Sequence, residues 1–168
     1  MPSAIRIVTV TVSDTRTEDT DESGKILRER LESAGFGVAG HRIVRDEPDV
    51  IVELVRGFAS EPPMDAVILT GGTGIAPRDR TYEALESLFD KRLDGFGEAF
   101  RRLSWDAIGP RAILSRATSG VVGRTVVFSL PGSTNAVRLG VDALIAPTLE
   151  HAVALASGKG GHHHHGAK

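Results

Sequence analysis

Residues 65–80 read DAVILTGGTGIAPRDR, and this stretch constrains the fold more than any other. The apolar run Val67-Ile68-Leu69 stops at Thr70-Gly71-Gly72-Thr73-Gly74, and a helical pattern resumes at Thr81. A strand, a glycine turn and a helix in that order aim backbone N–H groups at an anion. Glycine serves in such a turn because it adopts φ > 0 and lets a ligand approach the backbone. Asp79, between Arg78 and Arg80, follows the last glycine of the turn by five residues. A carboxylate beside a phosphate cradle repels the phosphate unless a cation lies between them, so the segment predicts a phosphate-plus-Mg²⁺ site.

The flanking sequence supplies more units of the same kind. Residues 4–12 are β-branched and nearly continuous, as in a buried parallel strand. A polar loop leads to a helix over 23–33 that stops at Gly35, and 37–44 reads as a second strand. Asp46-Glu47-Pro48-Asp49 opens a helix in which Ile51, Leu54, Val55 and Phe58 share one face. The strand at 65–70 follows, then helical patterns from Thr81 and over 95–108, with Gly109-Pro110 as a stop. Residues 117–122 and 124–130 read as a hairpin at one edge of the sheet, joined near Gly123. A helix carrying Val137, Val141, Leu144 and Ile145 comes next, and Pro147 is expected to start a final one. Alternating strands and helices predict an α/β fold with an open, mostly parallel sheet covered on both faces. Ligands bind such sheets outside the carboxyl ends of the strands, where strand order reverses. Loops 13–22, 70–80 and 130–135 leave strand ends there, and the second strand delivers Asp46 to the same rim.

Composition removes several classes of function. The 168 residues suit one domain, placed at 1–157, with 158–168 as a flexible Gly/His tail given no function beyond adventitious Ni²⁺ or Zn²⁺ binding. A net charge of −2 and 5% aromatic residues argue against a nucleic-acid partner. The absence of cysteine excludes disulfides, thiolate metal sites and a cysteine nucleophile. No apolar run approaches the roughly 20 residues that span a bilayer, and the N-terminus lacks a signal-peptide shape, so no membrane role and a cytoplasmic location are expected.

Known phosphate motifs fit poorly. A Walker A loop needs a terminal Gly-Lys-Ser/Thr, and Pro77 occupies the last position of a dinucleotide fingerprint begun at Gly72. TGGTGIAPRDRT instead resembles the signature of the MoaB/MogA family of molybdenum cofactor biosynthesis. TVSDTRTEDTDESG, VRDEPDVI, GFGEAFR, ILSRATSG and VVFSLPGSTNAV recur in the order found in that family and span nearly the whole chain. Length and GFGEAFR resemble the MoaB branch more than MogA.

The resemblance implies a three-layer α/β/α sandwich assembled as a homotrimer, sometimes doubled to a hexamer. Active members adenylylate molybdopterin: its terminal phosphate attacks the α-phosphorus of Mg-ATP, pyrophosphate leaves, and a partner that inserts molybdate takes the product. Other MoaB-type chains are implied to bind or carry the pterin without catalysis.

Asp46 and Asp79 fall on positions that the family links with Mg²⁺ and catalysis; without the resemblance, Asp46 reads as a helix cap. Gly71, Gly72, Thr73 and Gly74 are expected to offer amides to a phosphate, with hydroxyls from Thr70 and Thr73. Gly132, Ser133 and Thr134 form a second strand-to-helix turn, in which Ser133 is equally suited to capping the helix. Ser13 and Asp14 end the first strand and are expected to line the cleft. Glu98 is a candidate for ring nitrogens of pterin or adenine, against its plainer reading as a solvated helix residue. Arg78, Arg80 and Arg116 are candidate phosphate partners, and His41 and His151 read as structural or exposed.

Overall fold

The computed structural model describes residues 4–160. Its elements are β1 (Ile7–Val12), α1 (Glu22–Ser33), β2 (Val38–Val44), α2 (Pro48–Ala59), β3 (Ala66–Thr70), α3 (Thr81–Glu86), β4 (Lys91–Arg92), α4 (Asp94–Ile108), β5 (Thr118–Val122), β6 (Thr125–Leu130), α5 (Thr134–Gly140) and α6 (Ala146–Ala156). The strands form one sheet in the order β2-β1-β3-β6-β5-β4. β2, β1, β3 and β6 run parallel, while β5 and β4 are antiparallel to their neighbours.

Strand alternation divides the core in two. Ile7, Ile68, Val126 and Phe128 meet α1, α4, α5 and α6 on one face, through Leu27, Phe100, Val137 and Leu149 among others. Val8, Val10, Val67 and Leu69 meet Ile51, Val55 and Leu85 of α2 and α3 on the other. β1 and β3 carry buried side chains at every position, which explains their near-continuous apolar sequences. The result is a three-layer α/β/α sandwich.

Three expectations need correction. The hairpin β5–β6 lies one strand inside the edge, because β4 pairs outside β5; two residues are too few to show a period. A Cβ at Gly120 would overlap the Phe89 ring, so this glycine is what lets the chain before β4 pack against β5. The last two helices are one continuous run, Thr134–Ala156. A π-turn at Val141–Ile145 joins them, and the wider turn takes up Pro147, which has no N–H to donate. By length and composition this run matches a bilayer span, but Val137, Val141, Ile145 and Leu149 face the core and Asp142 pairs with Arg30. At the C-terminal end, Gly158 and Gly160 hydrogen-bond back onto α6, so the expected tail does not begin at 158. The four-histidine run lies outside the described residues.

The connections also place the site. β1 leads through α1 outward to β2, and α2 then carries the chain across β1 to β3. The loops leaving the neighbouring strands β1 and β3 therefore diverge, which opens a crevice at their carboxyl ends.

Candidate anion-binding cleft

The cleft has a volume of about 590 Å³ and is walled by the loops after β1, β3 and β6. In the β3–α3 loop, Gly71 and Gly72 have φ of 104° and 71°, which L side chains rarely adopt. A Cβ at Gly71 would overlap the Val12 carbonyl, and one at Gly72 would overlap the Thr81 hydroxyl and crowd Asp46. Glycine is thus required both for the path of the turn and for its packing. The amides are not equivalent. Gly71 N–H donates to the Leu130 carbonyl at 2.9 Å and extends the sheet, so it is not free for an anion as the sequence suggested. The N–H groups of Gly72, Thr73 and Gly74, all cleft-lining residues, have no partner among the described residues.

The β6–α5 turn repeats the arrangement across the cleft. Gly132, Ser133 and Thr134 line it with N–H groups that are likewise unpaired among the described residues. Ser133 is the helix cap, accepting from Ala136 N–H at 3.2 Å. The Thr70 hydroxyl donates to the Pro131 carbonyl at 2.9 Å, so it ties the two turns together and is not a free ligand donor. Ser23, on the first turn of α1, donates to the Gly132 carbonyl.

Two carboxylates flank the first turn. Asp79 lines the cleft and accepts from Ala76 N–H at 3.0 Å. Asp46 lies behind the turn, only 5% exposed, and accepts from Arg80 N–H at 3.3 Å and the Thr81 hydroxyl at 3.4 Å. Burial pushes its carboxyl above the ordinary range, and the negative charges of Asp79 and Asp14 reinforce the shift against the Arg80 amide and Thr81 hydroxyl. Two mutually repelling acids beside unpaired amides suit a divalent cation that arrives with a phosphate. No group of three or more metal-type side chains occurs among the described residues, so phosphate and water would have to complete the coordination of Mg²⁺.

The family model for a probable molybdopterin-binding domain matches residues 8–151. The chain belongs to this family. It is 51% identical over 153 residues to molybdenum cofactor biosynthesis protein B of Bacillus subtilis, covering 90% of each chain. A crystal structure of molybdenum cofactor biosynthesis protein B superposes with a TM-score of 0.88 at 46% identity, over 93% of this chain and 98% of the other. The molybdopterin biosynthesis enzyme MoaB of Thermus thermophilus superposes with a TM-score of 0.82 at 38% identity, over 92% and 98%. The chain is therefore a MoaB-type protein of molybdenum cofactor biosynthesis.

Within this MoaB-type fold the remaining candidates separate. Ser13 lines the cleft, and its hydroxyl oxygen accepts from Thr15 N–H at 3.2 Å and Arg16 N–H at 3.0 Å. Asp14 lies outside the cleft wall, gripped by Arg78 at 2.9 and 3.0 Å and accepting from Asp46 N–H at 3.2 Å. Arg78 first, through its hydrogen bonds, holds the Asp14 carboxyl below its ordinary value. Arg78 also pairs with Glu47, so its charge is already countered. Glu98 is exposed on α4 and does not line the cleft, which leaves the solvated-residue reading. Arg116 grips loop carbonyls and Glu83, and is not a free phosphate partner.

Two features escaped the sequence reading. Arg16 is the one cationic side chain on the cleft wall among the described residues. Asp21, 4% exposed, caps α1 through Gly24 N–H at 2.9 Å and accepts from the Thr11 hydroxyl at 2.8 Å. His41 Nε2 lies 2.8 Å from the same carboxylate, and its Nδ1 lies 2.7 Å from the Thr9 hydroxyl. Burial pushes the Asp21 carboxyl up, but the hydrogen bonds from His41, Thr11 and Gly24 outweigh it and hold the group below its ordinary value. Asp21 before a helix is a recognisable cap signal, whereas His41 reaches it only through strand pairing.

Proposed function

We propose that the protein is a molybdopterin adenylyltransferase. In this reading a terminal phosphate oxygen of molybdopterin forms a bond to the α-phosphorus of ATP, the α–β phosphoanhydride breaks, and pyrophosphate leaves. The observation that carries the proposal is the pair of amide rows, 72–74 and 132–134, unpaired among the described residues, on one cleft. Two anchored anions, one on each substrate, are what such a transfer has to align. The amides stabilise charge without reorganising, and Arg16 adds a cation at the rim. Asp46 and Asp79 would hold Mg²⁺, which when bound neutralises phosphate charge. No side chain has to act as a covalent nucleophile. Ser13 and Thr134 would help to seat the substrates, and Glu98 retains a contact role only if a second subunit brings it to a cleft.

The same reading makes the protein a cytoplasmic homotrimer, with a hexamer as the larger form, that passes its product to a molybdate-inserting partner. Trp105, Ile108, Ile113 and Leu114 are each about half exposed or more, and this apolar surface supports self-association. Transfer of radiolabelled AMP from ATP to molybdopterin tests the proposal; purified wild-type protein that transfers none contradicts it. A second reading, a non-catalytic molybdopterin carrier, draws on the burial of Asp46 behind the turn with both oxygens accepting hydrogen bonds. Calorimetry separates the two, because a carrier binds the pterin and not Mg-ATP.

A further inference from the structure

Arg116 reaches loop 71–80 from outside the cleft and grips it at several points. Its backbone N–H donates to the Thr73 carbonyl at 2.9 Å. Its Nε donates to the Gly74 carbonyl at 2.9 Å, and its Nη2 to the Asp79 carbonyl at 2.9 Å. The guanidinium also pairs with Glu83 and lies 5.2 Å from the centre of the Tyr82 ring. Its hydrogen bonds hold the Glu83 carboxyl below its ordinary value, so the positive charge is locally countered.

A trans peptide is planar, with C=O and N–H on opposite sides. Pulling a carbonyl toward Arg116 therefore turns the next residue's N–H away from it. The plane joining Asp79 and Arg80 shows this directly: the Asp79 carbonyl goes to Arg116, and Arg80 N–H goes to Asp46 at 3.3 Å. By the same geometry, the backbone N–H of Arg116 on the Thr73 carbonyl turns the Gly74 N–H, unpaired among the described residues, away from Arg116, and the side chain on the Gly74 carbonyl does the same for the Ile75 N–H. We propose that Arg116 is the positioning residue of the cradle, a strut whose backbone N–H fixes the peptide plane after Thr73 and whose side chain fixes the planes after Gly74 and Asp79. It acts through the loop and not by touching the anion. The inference rests on the reading that this cleft takes a phosphate-bearing ligand, but the orientation of the planes is measurable by itself.

The experiment compares wild type with Arg116→Gln, Arg116→Lys and Glu83→Gln, using inorganic pyrophosphate with Mg²⁺ as the probe. Backbone amide resonances are recorded with and without it. Arg116→Gln keeps the backbone contact to Thr73 but loses both side-chain contacts to loop carbonyls, so it should weaken binding about tenfold and should move the Ile75 and Arg80 resonances even without the probe. Arg116→Lys keeps the charge but cannot bridge two carbonyls, so it should resemble Gln. Glu83→Gln leaves the carbonyl contacts and should leave those resonances in place. Recovery of wild-type affinity by Lys would mean that charge, not orientation, is what matters, and would overturn the proposal. So would unmoved Ile75 and Arg80 resonances in Arg116→Gln. Should Gln prevent folding, Lys and Glu83→Gln still decide the matter. Wild type that ignores pyrophosphate while the resonances move as expected would refute the phosphate reading and leave the strut intact.

Discussion

Asp21 lines the cleft and Asp46 lies behind its glycine turn, at 4% and 5% exposure, yet their carboxyls shift in opposite directions. Under the α1 wall, Asp21 receives hydrogen bonds from a helix amide, a threonine and a histidine, and its charge is well compensated. Under the glycine turn, Asp46 also receives donors, but it faces two further acids. The first region is built for stability. The second holds negative charge that the fold alone leaves under-compensated, as expected where a bound cation completes the site.

The largest expected effect belongs to the second region. Asp79→Asn and Asp46→Asn should each lower AMP transfer by about 100-fold or more, measured as turnover at saturating ATP. Near-normal turnover in either variant removes that residue from the chemistry and dissolves the contrast.

Stability should respond with the opposite emphasis. Asp21→Ala deletes a helix cap and orphans buried donors, and should cost about 2–3 kcal/mol in urea unfolding at pH 7. Because the folded value of Asp21 is lowered, its stabilisation is complete above the unfolded value of 3.8 and is lost as pH falls through the folded one. The gap between wild type and variant should therefore close in acid.

Asp46→Asn sharpens the comparison through its sign. The folded value of Asp46 is raised, so its ionisation opposes folding above that value and has no effect below 3.8. The variant should be more stable than wild type at neutral pH, with the advantage vanishing in acid. A lower melting temperature at pH 7 would make Asp46 a structural anchor for Arg80 and Thr81. Smallest of all, Ser133→Ala should cost about 1 kcal/mol in the same unfolding assay, through the lost cap alone.

What the sequence revealed followed the range of the interactions involved. The glycine turn, the Ser133 cap and the β1 and β3 strands rest on neighbouring residues, and local pattern was enough for them. The approach of Asp46 to Asp79 required a resemblance, since 33 positions separate them and a cap was the local reading. Arg116 was legible only as a charge: its partners lie at 73, 74, 79 and 83, far from it in sequence, and only the fold brings the segment before β5 to that loop. The loss of Gly71 N–H to Leu130 was hidden for a related reason, because it depends on which strand pairs with β3. The merged helix at 134–156 went unread because a π-turn, which no simple period announces, absorbs Pro147.

A crystal grown with Mg²⁺ and a non-hydrolysable ATP analogue would test the cleft most directly. The proposed function predicts phosphate oxygens on the amides of Gly72–Gly74 or Gly132–Thr134, with the divalent ion between them and the Asp79 and Asp46 carboxylates. Nucleotide bound away from both turns, or phosphate seated there with no metal at either aspartate, would contradict it.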